Sequence, residues 1–340
     1  MKTIVSIQEI SEFEIKPHDA LAEWRGLVKD EISTRWQDRT GWLKTFCPIC
    51  SNNKPVVAFE TYGFTYVECV ECGSLFAPLR PSENEIWSWY RTSRPAHFWR
   101  EKLLPVSVKA RIEKIVSPRA YWILDCIAEY LPLASRMVDI SHNGRGMIDI
   151  ISIENQKLRS IITAGMTSDI EGESTKRVKV APSRIAELPD LGPSDVLVAI
   201  DAFDRSFDLS ALVGSIEKLL VTGGLVFATI PVSSGFEIQT LWDKSPTIIP
   251  PDKLNLPSVH GLKLLFARPT WEILELSTPG MFDVEMVYSA IHSDRTSHWP
   301  RGIKGLIQHL TAEGRTSFVE LLQSLSLTSF ARIVVRKIGK

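Results

Sequence analysis

The chain has 340 residues, 39 Lys and Arg against 40 Asp and Glu, a net charge of −1, and 44% apolar residues. That is an ordinary composition for a soluble protein with room for one large domain and one or two small modules. The balanced charge lacks the basic excess of a nucleic-acid binder, and no window reaches the ~18 unbroken apolar residues of a membrane helix. Near the start, Glu9, Glu12 and Glu14 stand where a signal peptide needs an apolar core, which predicts a cytoplasmic protein.

Residues 1–46 read as a capping segment with one helix, because Leu21, Trp24, Leu27, Val28 and Ile32 recur at helical spacing. Residues 47–80 contain CPIC, eighteen intervening residues, and CVECG. Two CxxC knuckles at this separation match the zinc-ribbon pattern, in which Cys47, Cys50, Cys69 and Cys72 close a tetrahedral thiolate shell. A closed shell predicts a structural metal, since catalysis needs an open coordination position. Between the knuckles, VVAFETYGFTYVEC reads as two strands turning near Gly63. The fifth cysteine, Cys126, lies on an apolar helix face and reads as a core residue.

Residues 81–135 read as a mostly helical connector, through NEIWSWYRTSRPAHFWREKLL and SPRAYWILDCIAEYL. From 136 to 340 the pattern alternates. RMVDIS, RSIITAG, KRVKVAP, DVLVAID and GLVFATIP are short apolar runs with helical stretches among them, which predicts a doubly wound, mainly parallel sheet. LSALVGSIEKLLVTGG reads as an amphipathic helix stopped by Gly223 and Gly224. The helix SVHGLKLLFA and strand WEILELST follow, then the helix SFVELLQSL and the strand FARIVVRK, which could add an antiparallel strand at the sheet edge. Residues 289–316 carry the weakest pattern and read as a loop.

The order of CPIC…CVECG, WSWYRTSRPAHFWREKLLP, RMVDISHNGRG, DVLVAIDAFD and IEKLLVTGGLVFATIP resembles class I S-adenosylmethionine-dependent methyltransferases with an N-terminal zinc module. The resemblance runs from about Glu12 to Lys337 and extends to a subgroup linked to surface sugars and polysaccharides. It implies a seven-stranded α/β sheet of the Rossmann-like methyltransferase type with a reversed last strand. It also implies zinc and S-adenosylmethionine as cofactors, the latter across the carboxyl ends of the first strands. The residues it assigns to cofactor binding are Asp139, Ser141, Asn143, Gly144, Gly146 and Asp201.

The chain departs from the family at the ligand motifs. The turn D-I-G-x-G-x-G reads Asp139, Ile140, Ser141, His142, Asn143, Gly144, Arg145 in gapless register, so all three glycines are replaced. Arg145 places a long cation where the cofactor needs space, and Met166 stands where the family's ribose-binding acid is expected, with Asp169 three residues later. Asp201 is kept without the histidine that usually accompanies it, and Asp252 and Lys253 replace the paired histidines ahead of Leu254, Asn255 and Leu256.

Two functions follow. One is a methyltransferase acting on a sugar-linked or other small metabolite, with Asp201, Asp204, His142 and His260 as candidate bases and no one of them preferred. The alternative is a catalytically inactive methyltransferase-like protein that binds a protein partner or a different ligand, with Trp87, Trp89, Trp99 and residues 289–316 as contact surfaces. A nicotinamide dinucleotide enzyme fits poorly, because N-G-R-G lacks the third glycine of G-x-G-x-x-G.

Overall fold

The computed structural model describes residues 12–15, 17–294 and 299–339. Of the three acidic residues near the start, Glu9 lies outside the described residues, whereas Glu12 and Glu14 belong to the short helix Glu12–Ile15. The strands in chain order are β1 (Leu43–Lys44), β2 (Pro55–Thr61), β3 (Phe64–Cys69), β4 (Leu75–Phe76), β5 (Leu79–Arg80), β6 (Arg136–Asp139) and β7 (Ser160–Thr163). They continue as β8 (Val178–Val180), β9 (Ser194–Ile200), β10 (Leu220–Pro231), β11 (Asn255–Leu256), β12 (Trp271–Ser277) and β13 (Phe330–Lys337).

Seven strands form the main sheet in the order β12-β13-β10-β9-β6-β7-β8. The ladders from β8 through β10 are parallel, while β13 pairs antiparallel with both β10 and β12. This is the doubly wound methyltransferase-type sheet with a reversed last strand. Strand order reverses between β6 and β9, so the switch point falls where these two strands end. The reversed strand is internal rather than at the edge, because β12 covers it, and Ile333, Val334 and Val335 are fully buried there.

Two sequence expectations are corrected. The helix at LSALVGSIEKL ends at Leu219, and Gly223 and Gly224 lie inside β10. They form an irregularity between Leu220 and Leu225, with Gly223 at φ +86°. A Cβ on Gly224 would come within 2.9 Å of the Val221 carbonyl, so the glycines serve the bulge and not the helix end. The stretch 289–316 is largely helical, spanned by Asp283–Ser293, Arg301–His309 and Ala312–Ser324. Val287, Ile291, Ile307 and Leu322 bury one another in a satellite core, with residues 295–298 outside the described set.

The cysteine segment is not a separate lobe. β4 pairs with β11, which arrives from the later half of the chain, so the small sheet reads β11-β4-β3-β2. Cys47, Ile49, Cys69 and Cys72 share one hydrophobic core with Val226, Ile230 and Leu262. The N-terminal helix His18–Arg35 buries Leu21, Trp24, Val28 and Ile32, in agreement with its spacing. Trp36 stacks on Trp89 with ring centroids 4.9 Å apart, joining this helix's end to the helix Glu83–Thr92. Helical structure then runs from Glu83 to Tyr130, broken at the extended Ser93, with two π turns, Trp99–Leu103 and Ile112–Val116. No helix of the described residues is long and apolar enough to cross a membrane.

Candidate functional site

The four cysteine sulfurs predicted to meet do so, all within 4.8 Å of one another. Cys47 and Cys72 lie 3.6 Å apart, and Cys50 and Cys69 lie 3.4 Å apart. Sulfurs about 3.8 Å apart are what a tetrahedral shell with Zn–S near 2.3 Å requires. Gly73 takes φ +65° behind the second knuckle. The knuckle is fastened to the α/β part: the Ser258 hydroxyl donates to the Cys72 carbonyl, and Ser233 donates to the Gly73 carbonyl at 2.8 Å. The Cys72 thiol points to the Ser74 hydroxyl at 3.2 Å.

The second site lies at the carboxyl ends of the parallel strands. A cleft of about 580 Å³ is bordered by His142 after β6, Met166 after β7, Ile185 after β8 and Phe207 after β9, with Ile86 and Trp87 closing one side. A second cleft of about 510 Å³ lies beside it, walled by Trp24, Trp89 and Trp99 and reaching Asn143, Glu171 and Asp252. His142 and Arg205 line both.

The turn after β6 is built around Asp139. Its carboxylate accepts from the Ser141 hydroxyl and from the Ser141 amide, and the same hydroxyl accepts the Ile200 amide at 2.9 Å. Ser141 thus ties β6 to β9. Burial pushes the Asp139 carboxyl up to about 7 against the pull of those hydrogen bonds. Asn143 takes the left-handed φ of +54° that the turn demands. A Cβ on Gly144 would lie 2.8 Å from Asp139 Oδ2, so this glycine is sterically required. Gly146 differs: a Cβ there meets only Val116 Cγ1 at 3.7 Å, an ordinary contact.

Arg145 does not fill the cleft as its position in the motif suggested. Its guanidinium turns along its own helix, with Nε donating to Asp149 at 2.8 Å and Nη1 to the Glu173 carbonyl at 2.6 Å. Gly172 makes the space, since a Cβ there would lie 2.7 Å from Arg145 Nη1. Asp169, the nearby acid after β7, is engaged elsewhere: Arg91 holds both of its oxygens at 2.8 Å. Met166 therefore presents an apolar side chain to the cleft, where the resemblance drawn from the sequence implies a ribose-binding acid.

Of the four candidate bases, His142 alone lines the clefts. Its ring lies 4.9 Å from that of Tyr90, and burial with Arg205 nearby pulls it down to about 3, so it stays neutral. Burial favours the protonated form of Asp201, yet Arg119, Lys253 and Arg205 outweigh it and hold the carboxylate low. Asp204 is fully buried and paired with Arg205 and Lys253. His260 is exposed on the helix Val259–Leu265, outside both clefts.

Three residues not singled out from the sequence shape the site. Tyr90 donates to Asp252 at 2.9 Å, and Arg205 reaches the other Asp252 oxygen at 3.2 Å. Glu171 accepts the backbone amides of Asn143 and Arg145, at 3.1 and 3.3 Å, together with the Thr167 hydroxyl.

No family model matches the sequence, and no curated protein matches it. Among solved structures, the chain is similar to a putative sarcosine dimethylglycine methyltransferase from Galdieria sulphuraria. Identity is 13% and the TM-score 0.43, over 69% of this chain and 88% of that one. It is similar to a plantazolicin methyltransferase solved with S-adenosylhomocysteine, at 9% identity and TM-score 0.46, over 75% and 94%. It is also similar to the O-methyltransferase of a Brevibacillus brevis polyketide multienzyme, at 13% identity and TM-score 0.41, over 67% and 73%.

Proposed function

We propose that the protein is a methyltransferase-like binder of an S-adenosyl nucleoside, with a structural zinc held by Cys47, Cys50, Cys69 and Cys72. The larger cleft carries the reading. It opens at the switch point between β6 and β9, and the loops of four successive parallel strands border it. Its apolar walls suit a purine and thioether, and Arg145, turned away along its helix, leaves it open. The aromatic second cleft, meeting the first at His142, is where a small acceptor such as a sugar-linked metabolite would lie. When bound, S-adenosylmethionine supplies the methyl group. This chain's residues would align the acceptor, because methyl transfer depends on in-line placement more than on proton transfer.

A second reading, binding without turnover, draws on the carboxylates. Asp201 and Asp204 are committed to cations, and Met166 offers no acceptor to a ribose. Calorimetric titration with S-adenosylmethionine and S-adenosylhomocysteine tests the first reading. Micromolar binding supports it, whereas no heat at millimolar ligand with folded protein refutes it. Methylation assayed over a panel of sugar-linked acceptors then separates an enzyme from a binder. Metal analysis giving one zinc per folded chain supports the metal assignment, and much less than one overturns it.

A further inference from the structure

The second cleft holds a hydrogen-bond imbalance. Its acceptors are filled from within. Asp252 takes the Tyr90 hydroxyl at 2.9 Å and Arg205 at 3.2 Å. Glu171 takes the Thr167 hydroxyl and the amides of Asn143 and Arg145, and burial pulls its carboxyl towards the neutral form. The donors are not all filled. Trp99 Nε1 and Arg205 Nε are buried without a partner, and both residues line the cleft. A buried N–H left in this way is costly, and whatever satisfies it must be an acceptor.

Charge points the same way. Arg205 is balanced by Asp204 and Asp252, and Lys253 is a second cation on Asp204. Arg100, on the same cleft, has no such balance. It donates to the Tyr90 carbonyl at 2.8 Å and to the Arg91 carbonyl at 3.3 Å. Glu101, its neighbour in sequence, turns to His97 at 3.6 Å, and Asp169 is held by Arg91. Among the described residues no carboxylate comes within ion-pair distance of Arg100, and Glu171 acts on it only from farther off. Burial works against the charge on Arg100, which an incoming anion would offset. A second cation stands behind Trp99, with the Arg111 guanidinium carbon 5.8 Å from its ring centroid.

We propose that the second cleft binds its acceptor through a single carboxylate, received by Arg100 and the Trp99 and Arg205 N–H groups, with the ring that bears it lying against the tryptophans. The role as acceptor rests on the methyl-transfer reading above, whereas the binding needs no nucleoside. One unbalanced cation suits a monoanion, and the second charge of a phosphate would meet Asp252 and Glu171. Trp24 and Trp99, edge to face with centroids 5.3 Å apart, supply the apolar wall. Aromatic acids and uronates share this chemistry, and each has an uncharged and a phosphorylated counterpart of similar size.

Titration of the full chain, read by tryptophan fluorescence and calorimetry, tests this with two sets of probes. One is benzoate, benzamide and phenyl phosphate; the other is glucuronate, glucose and glucose 1-phosphate. The set that binds identifies the ring, and within it the carboxylate is expected to bind about tenfold or more tighter than its counterparts. Arg100→Gln is expected to erase about tenfold of that preference, while Arg100→Lys, which keeps the charge, stays within about threefold of the natural protein. Trp99→Phe keeps a ring, loses the N–H, and should weaken the carboxylate by about three- to tenfold. An amide, sugar or phosphate bound as tightly as the carboxylate, a preference unchanged in Arg100→Gln, or no binding of any probe to folded protein at tens of millimolar overturns the proposal. Titration with S-adenosylhomocysteine separates it from the reading it rests on. Carboxylate binding without nucleoside binding supports the site and overturns the methyl-transfer reading, whereas nucleoside binding without a carboxylate preference overturns this inference alone.

Discussion

Gly144 packs over Asp139 so closely that a Cβ would stand 2.8 Å from the carboxylate oxygen. Gly146, two residues on, has no such neighbour. Gly144→Ala should therefore destabilise the protein by about 1–3 kcal/mol, the usual cost of forcing atoms into a packed site. Gly146→Ala should be neutral or stabilising by up to about 1 kcal/mol, since alanine is the better helix former. Denaturant unfolding of both variants checks the contrast, and equal effects would contradict it.

Asp139 sets a pH dependence. Its folded-state value of about 7 lies above the ordinary carboxyl value of 3.8, so the folded chain binds the extra proton. The stability this contributes is present in full below about pH 4 and is lost as pH rises towards 7, with a slope of at most about 1.4 kcal/mol per pH unit. Asp139→Asn should remove that component. Unfolding free energies at pH 5 and pH 7 should differ less in the variant than in the natural protein.

Arg205 is buried between Asp204 and Asp252. Arg205→Met leaves Asp252 without its ion-pair partner and Asp204 with Lys253 alone, and should cost about 3–5 kcal/mol. A thermal or denaturant midpoint unchanged from the natural protein would contradict this.

Around the cysteines, Ser74 Oγ lies 3.2 Å from Cys72 Sγ, and with the metal proposed above in place its hydroxyl would donate to the Cys72 thiolate. Ser74→Ala should weaken zinc binding about 10- to 100-fold, as loss of an outer-shell hydrogen bond does elsewhere. Cys72→Ser should abolish stoichiometric zinc. Competition with a chromogenic chelator reads both.

Met166 puts an apolar side chain into the cleft where the nucleoside reading proposed above would want a ribose acceptor. Met166→Asp should tighten adenosine-nucleoside binding by about tenfold, the worth of one charged hydrogen bond to a hydroxyl. Calorimetry with 5′-methylthioadenosine measures this.

Much of the fold is legible in the sequence, because buried parallel strands are unbroken apolar runs. Val196, Leu197, Val198, Ala199 and Ile200 could belong to little else. The cysteine cluster was legible from spacing alone. Gly223 and Gly224 misled because two glycines after an apolar helix read as its end, and only the β9 pairing shows a bulge. The helices after Asp283 were obscured because their apolar residues face a small satellite core. Glu171 was invisible for another reason. A glutamate in a short polar loop looks solvated, and its approach to the turn after β6 spans 28 residues of sequence. Arg145 shows the converse: its position in the motif implied obstruction, and Gly172, 27 residues later, made room for it elsewhere.

The pairing of β4 with β11 joins Leu75–Phe76 to Asn255–Leu256 across about 180 residues of chain. During synthesis the four cysteines leave the ribosome long before that partner exists. At roughly 5–20 residues per second the delay is about 10–40 seconds. If the cysteines take the metal proposed above, its capture can precede completion of the sheet around it, and the ion would hold a nascent hairpin until the distant strand arrives to close its open edge.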